Sequence, residues 1–314
     1  MAIHKLELNR RSLHGHFSRD LKPVLEIEPG DSVEFDLLDA RWYTQRPEAD
    51  GSGEKFEPRD VLLDAGHALC GPISVRGAKP GMVLAVRVDA LTPGAWGWQA
   101  AGGWQSDINE RLGLTEHRGF YIWDINLETK TAHLPSGFAV PIQPFLGVMG
   151  VAPAESGNHP TSPPRVVGGN IDCRELVVDS TLHLPVQVAG ALFSTGDGHA
   201  AQGDGESSGT AIECPMRATL TFDLRDDLEL PNPHAITPAG EITFGFHEDL
   251  WEATAQALEG MIAILVRRYT IPREEAFALV SAAVDLRVTQ IANGVNGVHA
   301  LLRPGAIQVR NMGS

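Results

Sequence analysis

Cysteine is scarce in this sequence, and long apolar runs are missing from it. The three cysteines, Cys70, Cys173 and Cys214, cannot all pair with one another, and none belongs to a CxxC motif. We therefore expect reduced thiols, as in the cytosol, rather than a disulfide framework. No stretch approaches the roughly 20 apolar residues of a membrane span. The N-terminal segment MAIHKLELNRRSLHGHF also lacks the apolar core of a signal peptide, so the sequence predicts a cytoplasmic protein.

Basic residues are few as well. The chain has 25 Lys and Arg against 40 Asp and Glu, which gives a formal net charge of −15 at pH 7. Nucleic acids and anionic membrane surfaces are bound through basic patches, so we expect neither of them as a partner. The charge is easier to reconcile with a small neutral or cationic substrate.

Glycine and proline, in contrast, are abundant, with 33 and 21 residues. This composition favours many short strands and turns over long helices. Apolar and polar residues alternate on both sides of a Pro-Gly turn in PVLEIEPGDSVEFDLLDA (residues 23–40) and in ISVRGAKPGMVLAVRVDAL (residues 73–91). Each pattern predicts a hairpin or a step of a meander. Strand patterns resume over residues 138–192, so we expect a β-sandwich or barrel.

Helical spacing of apolar residues occurs in the C-terminal part. It predicts one helix over residues 248–269, EDLWEATAQALEGMIAILVRRY. A second helix is predicted over residues 272–285, with Pro272 in its first turn and Glu274 and Glu275 near its N-terminal dipole. We therefore predict a mainly β body over residues 1–215 and a smaller α+β portion over residues 216–314 that packs on it.

Two polar, glycine-rich segments that contain aromatic residues, 41–60 and 94–119, are too long for tight turns. We interpret them as functional loops or covers. Trp96, Trp98 and Trp104 in the second segment either close over a pocket or pack the loop onto the sheet.

Residues 193–213, FSTGDGHAAQGDGESSGTAIE, gather acidic residues and glycines around one histidine. Asp197 and His199 are two positions apart, so an extended strand points both side chains to the same face. Asp204 and Glu206 repeat this spacing. One imidazole and several carboxylates suit a divalent metal ion, and such a set is compatible with zinc. A solvated acidic loop is the alternative interpretation.

Two further stretches carry candidate ligands. GGNIDCREL, residues 168–176, places Asp172 after a pair of glycines, where it could also serve only as a turn residue. GHALCGPI, residues 66–73, places His67 before a Gly-Pro turn, where a structural role is the alternative.

The stretches GGNIDC, LHLPVQVAGALFSTGDGHAAQGDGE and GTAIE resemble the acetamidase/formamidase family. The resemblance extends over roughly residues 20–303. It implies a jelly-roll-like β body with an α+β portion, and a homo-oligomeric enzyme of the cytoplasm. It also implies hydrolysis of a short aliphatic amide, such as formamide or acetamide, to ammonia and the carboxylate.

The resemblance further implies a divalent metal ion, with zinc as the first candidate and calcium as the second, and a water molecule activated by it. The metal-ligand candidates that follow are His67, Asp172, His199 and Asp204. The candidate catalytic carboxylates are Glu206, Glu155 and Asp197, with Glu206 or Glu155 as the general base.

Three other functions remain open from the sequence alone. An amidase could use a cysteine nucleophile, although the positions of the three cysteines commonly carry other small residues in the family that the chain resembles. A metal hydrolase could act on another C–N bond or on an ester. A β protein could also bind a small ligand without transforming it.

Overall fold

The computed structural model describes residues 1–309. It is mainly β, with 39% of residues in strands and 12% in helices, which confirms the predicted fold class. The strands are β1 (Ile3–Leu6), β2 (Leu13–His14), β3 (His16–Phe17), β4 (Leu25–Ile27), β5 (Ser32–Leu37), β6 (Leu69–Val75), β7 (Val83–Pro93), β8 (Trp96–Ala101), β9 (Gly119–Asn126), β10 (Thr131–His133), β11 (Ala139–Pro141), β12 (Phe145–Gly150), β13 (His159–Pro160), β14 (Gly168–Asn170), β15 (Thr181–Pro185), β16 (Phe193–His199), β17 (Met216–Arg225), β18 (His234–Thr237), β19 (Gly240–His247), β20 (Val284–Gln290) and β21 (Asn296–Leu302). The helices are α1 (Asp107–Leu112), α2 (Leu250–Tyr269) and α3 (Arg273–Ala283).

Two large sheets form the body of the protein. One has nine strands in the order β1-β5-β17-β7-β15-β18-β19-β21-β20, and the other has the order β14-β12-β16-β6-β2 with β4 added beside β6. The sheets meet through a shared apolar core, in which Phe193 of β16 and Phe222 of β17 pack edge to face with ring centroids 5.0 Å apart. Burial of these apolar side chains is the main stabilising term of such a sandwich.

Strands from both predicted parts of the chain alternate in the nine-stranded sheet. β17, which begins at Met216, lies between β5 and β7 and pairs with both of them in antiparallel register. The division of the chain at residue 215 stays a prediction.

The predicted hairpins are wrong, although their strands are present. β4 pairs with β6, whereas β5 pairs with β1 and β17 in the other sheet. β6 and β7 are likewise in different sheets. Alternation identifies which face of a strand is buried but not which strand lies beside it, and both Pro-Gly turns lead the chain from one sheet to the other.

Both predicted helices are confirmed. α2 begins after Asp249, whose carboxylate accepts hydrogen bonds from the backbone N–H groups of residues 251 and 252. Gly245 on β19 allows α2 to pack closely, because a Cβ there would collide with the carbonyl oxygen of Ala253. Pro272 precedes the first turn of α3 instead of lying in it. None of the helices in residues 1–309 has the length and apolar content needed to cross a membrane.

The two predicted loops differ in the structure. Residues 41–60 lack a named strand or helix, but residues 94–119 contain β8 and α1, so their interpretation as a loop is wrong. Trp98 on β8 is buried, stacks on Phe120 at a centroid distance of 5.5 Å, and also lines a cavity with a mainly polar surface. It therefore packs the sheet and shapes the cavity at once.

Candidate functional site

The site lies where β16 ends, between β12 and β6. As the spacing predicted, Asp197 and His199 point to the same side of β16, and Nε2 of His199 lies 3.3 Å from Oδ2 of Asp197. Both side chains are buried, with 2% and 1% of their surface exposed. The strand thus delivers one carboxylate and one imidazole to the same point in the interior.

Glu213 completes this side of the site, although it is not among the residues that the sequence predicts for it. Its Oε2 lies 3.2 Å from Nε2 of His199, and its Oε1 accepts a hydrogen bond of 2.8 Å from the backbone N–H of Ala211. A β-bridge between the backbones of His199 and Glu213 brings them together. Glu213 is the last residue of the acidic stretch 193–213. It is too far from His199 along the chain for the spacing of a strand or helix to predict their contact.

Asp172 and Glu206 approach from the other side. Asp172 follows β14, and its Oδ2 accepts a hydrogen bond of 3.0 Å from Nδ2 of Asn293. Asp172, His199 and Glu206 each offer a ligand atom, and these atoms lie within 4.8 Å of one another. Asp197, His199 and Glu213 form a second such group. The two groups share His199, so they describe one buried centre with four carboxylates around one imidazole.

Several polar atoms of this centre have no hydrogen-bond partner in residues 1–309. They are Asn170 Oδ1, Asp172 Oδ1, Asp197 Oδ1, His199 Nε2 and Glu213 Oε2. Buried polar atoms are almost always partnered, so a convergent set of unpartnered acceptors indicates a place for a cation. The residues therefore fit a divalent metal ion, and the mixed nitrogen and oxygen donors suit zinc better than an all-oxygen set would.

Gln202 fixes the tautomer of His199. Its Nε2 donates a hydrogen bond of 2.7 Å to the backbone carbonyl of Asp172, which leaves Oε1 to accept from Nδ1 of His199 at 2.9 Å. A neutral His199 therefore carries its proton on Nδ1 and turns the lone pair of Nε2 toward the centre. Partners of this kind orient metal-binding histidines in proteins.

The backbone around the centre is constrained. Gly147 on β12 has no room for a side chain, because a Cβ there would lie 2.5 Å from Oδ2 of Asp197 and 2.7 Å from Oδ1 of Asp172. Three of the acidic residues adopt a positive φ, which is 54° at Asp172, 60° at Asp197 and 43° at Glu206. Left-handed backbone at non-glycine residues is costly and concentrates at functional sites.

Burial strongly perturbs the carboxylates. Loss of solvation raises the pKa of Asp172 to about 7 and that of Glu213 to about 8, in both cases against the attraction of His199. Burial and the neighbouring Asp172 raise the pKa of Glu206 well above its usual range. Crowded carboxylates in a dry site thus retain protons that a bound cation would displace.

The other two groups shift toward their charged forms. Burial opposes ionisation of Asp197, but His199 and His67 outweigh it and hold the pKa of this carboxyl below its usual range. Burial likewise disfavours the charged form of His199, but Glu213 and Asp197 raise its pKa well above the ordinary value. A buried, polarised cluster of this kind is typical of catalytic centres.

A cavity of about 590 Å³ opens above the centre. Its floor is formed by residues of the centre and by two amides, namely Asn170, Asp197, Glu206, Glu213 and Asn293. Aromatic and cationic side chains form part of its wall, among them Arg41, Trp42, Lys55, Arg59 and Trp98. The cavity gives a small molecule a route to the centre.

The remaining predicted site residues fall in three places. His67 lines the cavity, and its Nδ1 lies 2.8 Å from Oγ1 of Thr161. Asp204 lies outside the two ligand groups, and its Oδ2 is 3.3 Å from Nε of Arg287. Glu155 is exposed and borders a different depression of the surface. The structure therefore gathers Asp172, Asp197, His199 and Glu206, with His67 at the wall, and leaves the other two apart.

Comparison with known proteins gives consistent matches. The model of the Acetamidase/Formamidase family matches residues 3–159 and 154–309. The formamidase of Methylophilus methylotrophus is 26% identical over 269 residues, covering 65% of this chain and 63% of that protein. The acetamidase of Mycolicibacterium smegmatis is 27% identical over 256 residues, covering 62% and 61%. These two matches thus span somewhat less than two thirds of each relative. The crystal structure of an acetamidase from Bacillus halodurans superimposes with a TM-score of 0.82 at 26% identity, covering 96% of this chain and 97% of that one.

Proposed function

Because the chain belongs to the acetamidase/formamidase family, we propose that it hydrolyses the C–N bond of a short linear amide in the cavity above Asp197 and His199. The family resemblance seen in the sequence is confirmed, and so is the predicted enzyme class, an amidohydrolase of linear amides. The observation that carries the proposal is the convergence of unpartnered, buried acceptor atoms at the floor of an open cavity.

A divalent metal ion would be held by His199 together with Asp172, Asp197 and Glu213, which leaves Glu206 beside the ion and free to transfer protons. Zinc is our first candidate because it binds both imidazole nitrogen and carboxylate oxygen, and calcium is the second because it prefers oxygen ligands. When bound, such an ion polarises the amide carbonyl and lowers the pKa of a coordinated water molecule.

Glu206 is the carboxylate that we assign to proton transfer. It borders the cavity, and burial together with the neighbouring Asp172 raises its pKa, so it binds a proton more tightly than an exposed carboxylate does. Its carboxylate takes a proton from the attacking water as the C–O bond forms. The same proton then passes to the amide nitrogen as the C–N bond breaks, so that ammonia leaves and a carboxylic acid remains. The acid then gives its proton to ammonia or solvent and becomes the carboxylate product.

We assign Asn170 to the orientation of the substrate. Its Oδ1 is buried, has no hydrogen-bond partner in residues 1–309, and borders the cavity floor. An unpartnered amide oxygen can accept a hydrogen bond from the N–H₂ group of the substrate. This contact would fix which end of the amide faces Glu206.

The direct test measures ammonia release from formamide, acetamide and propionamide, before and after chelation and with zinc added back. We expect release that chelation abolishes and zinc restores. Glu206→Gln should lower kcat by at least about 10²-fold, the usual contribution of a general acid–base group. The matched control is Glu155→Gln on the exposed surface, which should keep full activity. Ammonia release that ignores the chelator, or that keeps its full rate in Glu206→Gln, would contradict the mechanism.

A homo-oligomer in the cytoplasm, as the family resemblance implies, stays a prediction. Light scattering of the purified chain measures the subunit count directly, and a monomer that releases ammonia at full rate would contradict an obligatory oligomer.

A further inference from the structure

Two cations on the cavity wall are held over aromatic rings. Cζ of Arg41 lies 4.7 Å from the centroid of the Trp98 ring, and Nζ of Lys55 lies 5.0 Å from the centroid of the Tyr43 ring. Both cations line the cavity and are half-buried. An aromatic face fixes the position of a cation without neutralising its charge, so the N–H groups stay available to a ligand.

The carboxylates near these two cations are engaged elsewhere. Among residues 1–309, no carboxylate oxygen lies within the 4.0 Å of an ion pair from Arg41 or Lys55. Asp39 accepts hydrogen bonds from Nε1 of the tryptophan beneath Arg41, at 2.8 Å, and from two backbone N–H groups. Asp64 is paired with Arg10 at 2.8 Å. In a chain with a net charge of −15, two cations without carboxylate partners on one wall indicate a binding place for an anion.

A third cation strengthens the positive field of this wall. Cζ of Arg59 lies 5.8 Å from the centroid of the Trp42 ring, and its buried Nε has no hydrogen bond in residues 1–309, although Glu57 Oε1 is 3.5 Å away. Burial, together with Arg59 and Arg41, lowers the pKa of Lys55. The cations repel one another, and a bound anion would relieve that repulsion.

The cavity is also larger than the simplest amides need. A volume of about 590 Å³ is in the range that encloses a drug-sized ligand. Formamide or acetamide would occupy only a small part of it. The lining contains the acidic centre and the cations of the wall, and its other carboxylates are engaged, Glu57 with Arg59 and Asp60 with the backbone N–H groups of residues 62 and 63. The cavity therefore offers groups of opposite charge to different parts of one elongated molecule.

We propose that the preferred substrate is an amide with a carboxylate group at its far end. Arg41 and Lys55 bind the carboxylate, and the amide group lies at the floor with Asp197 and His199. The proposal rests on the proposed amide hydrolysis and adds its substrate class. A guanidinium held on a ring presents paired N–H donors to a carboxylate and loses little freedom on binding. Arg41 and Lys55 are therefore specificity residues and take no part in bond breaking.

The test compares succinamate with succinamide, in which a second neutral amide replaces the carboxylate at nearly constant size. After correction for the two amide groups of succinamide, we expect kcat/KM for succinamate to be at least about tenfold higher, as for hydrogen bonds to a charged group. Malonamate and glutaramate, one carbon shorter and longer, measure the distance between the wall and the floor.

Variants separate anion binding from catalysis. Arg41→Gln and Lys55→Gln should each lower kcat/KM for succinamate about tenfold, mainly by raising KM, and should change that for succinamide by less than about twofold. Arg46→Gln is the matched control, because Arg46 is exposed, pairs with Asp124 and does not line the cavity. Arg46→Gln should leave kcat/KM unchanged for both succinamate and succinamide.

The outcomes distinguish this inference from the proposed function. Equal kcat/KM values for succinamate and succinamide would overturn the carboxylate site and leave amide hydrolysis intact. If neither amide releases ammonia, hydrolysis fails, and calorimetry of succinamate then decides the anion site by itself. Binding that Arg41→Gln weakens would support the site, and no measurable binding would overturn it.

Discussion

A Cβ on Gly147 would lie 2.5 Å from Oδ2 of Asp197, so the carboxylate occupies the space that a side chain of β12 would otherwise fill. The same Cβ would lie 2.7 Å from Oδ1 of Asp172. The two carboxylates reach the imidazole of His199 only because this one position of the neighbouring strand is empty.

Replacing Gly147 with alanine should therefore damage the metal centre more than the fold. We expect Gly147→Ala to lose bound zinc after dialysis, with an affinity at least about tenfold lower, because the ligands must move apart. Metal content per chain and thermal unfolding are measured together. Gly203→Ala is the control, since a Cβ at Gly203 has nothing within 4 Å. Full zinc content in Gly147→Ala would show that the carboxylates do not bind the ion.

Gln202 should raise the metal affinity of the centre by fixing the tautomer of His199. Gln202→Leu removes the acceptor for Nδ1, which lies at 2.9 Å, and frees the ring to take the other tautomer. Loss of such a partner typically lowers metal affinity by about 10–100-fold. Competition with a chelator gives the zinc Kd of this variant and of Gln143→Leu, an exposed glutamine that contacts Arg174. Equal Kd values for both variants would exclude the proposed role of Gln202.

His14 should make the protein sensitive to acid. Burial lowers its pKa to about 4, against the hydrogen bond from the ring to the backbone carbonyl of His16. The unfolded chain therefore binds more protons than the folded one between pH 6.5 and 4, so stability falls as the pH falls through that window. The loss reaches about 3 kcal/mol at pH 4. His14→Gln should flatten the dependence of the unfolding free energy on pH over this range, whereas exposed His133→Gln should not. An unchanged slope in His14→Gln would refute the assignment.

Thiol alkylation should leave activity intact. All three cysteines are buried, and burial raises the pKa of Cys70 to about 12 and that of Cys173 well above its usual range. A protonated thiol is a poor nucleophile. We expect the folded enzyme to keep its rate of ammonia release after treatment with N-ethylmaleimide. Rapid inactivation, with one thiol modified, would instead support the cysteine-nucleophile alternative.

Local regularities predicted part of this structure. The spacing of Asp197 and His199 placed them on one face of a strand, and helical periodicity located α2 and α3. Which strands pair with one another could not be deduced from such local patterns. Glu213 reaches His199 through a β-bridge, and the two Pro-Gly turns connect different sheets, because these contacts depend on which distant strands become neighbours. Asp204 and Glu206 share one spacing, yet only Glu206 reaches the centre, since the intervening Gly205 adopts a φ of 95° and turns the chain.

The position of β17 between β5 and β7 has a consequence for synthesis of the protein. While residues 1–215 are emerging from the ribosome, the two strands that flank β17 have no partner along those edges. Open strand edges are prone to pair with other chains. The nine-stranded sheet closes this gap only after Met216–Arg225 has been made, so a stop codon or a proteolytic cut before that strand should yield aggregated fragments rather than a smaller folded protein.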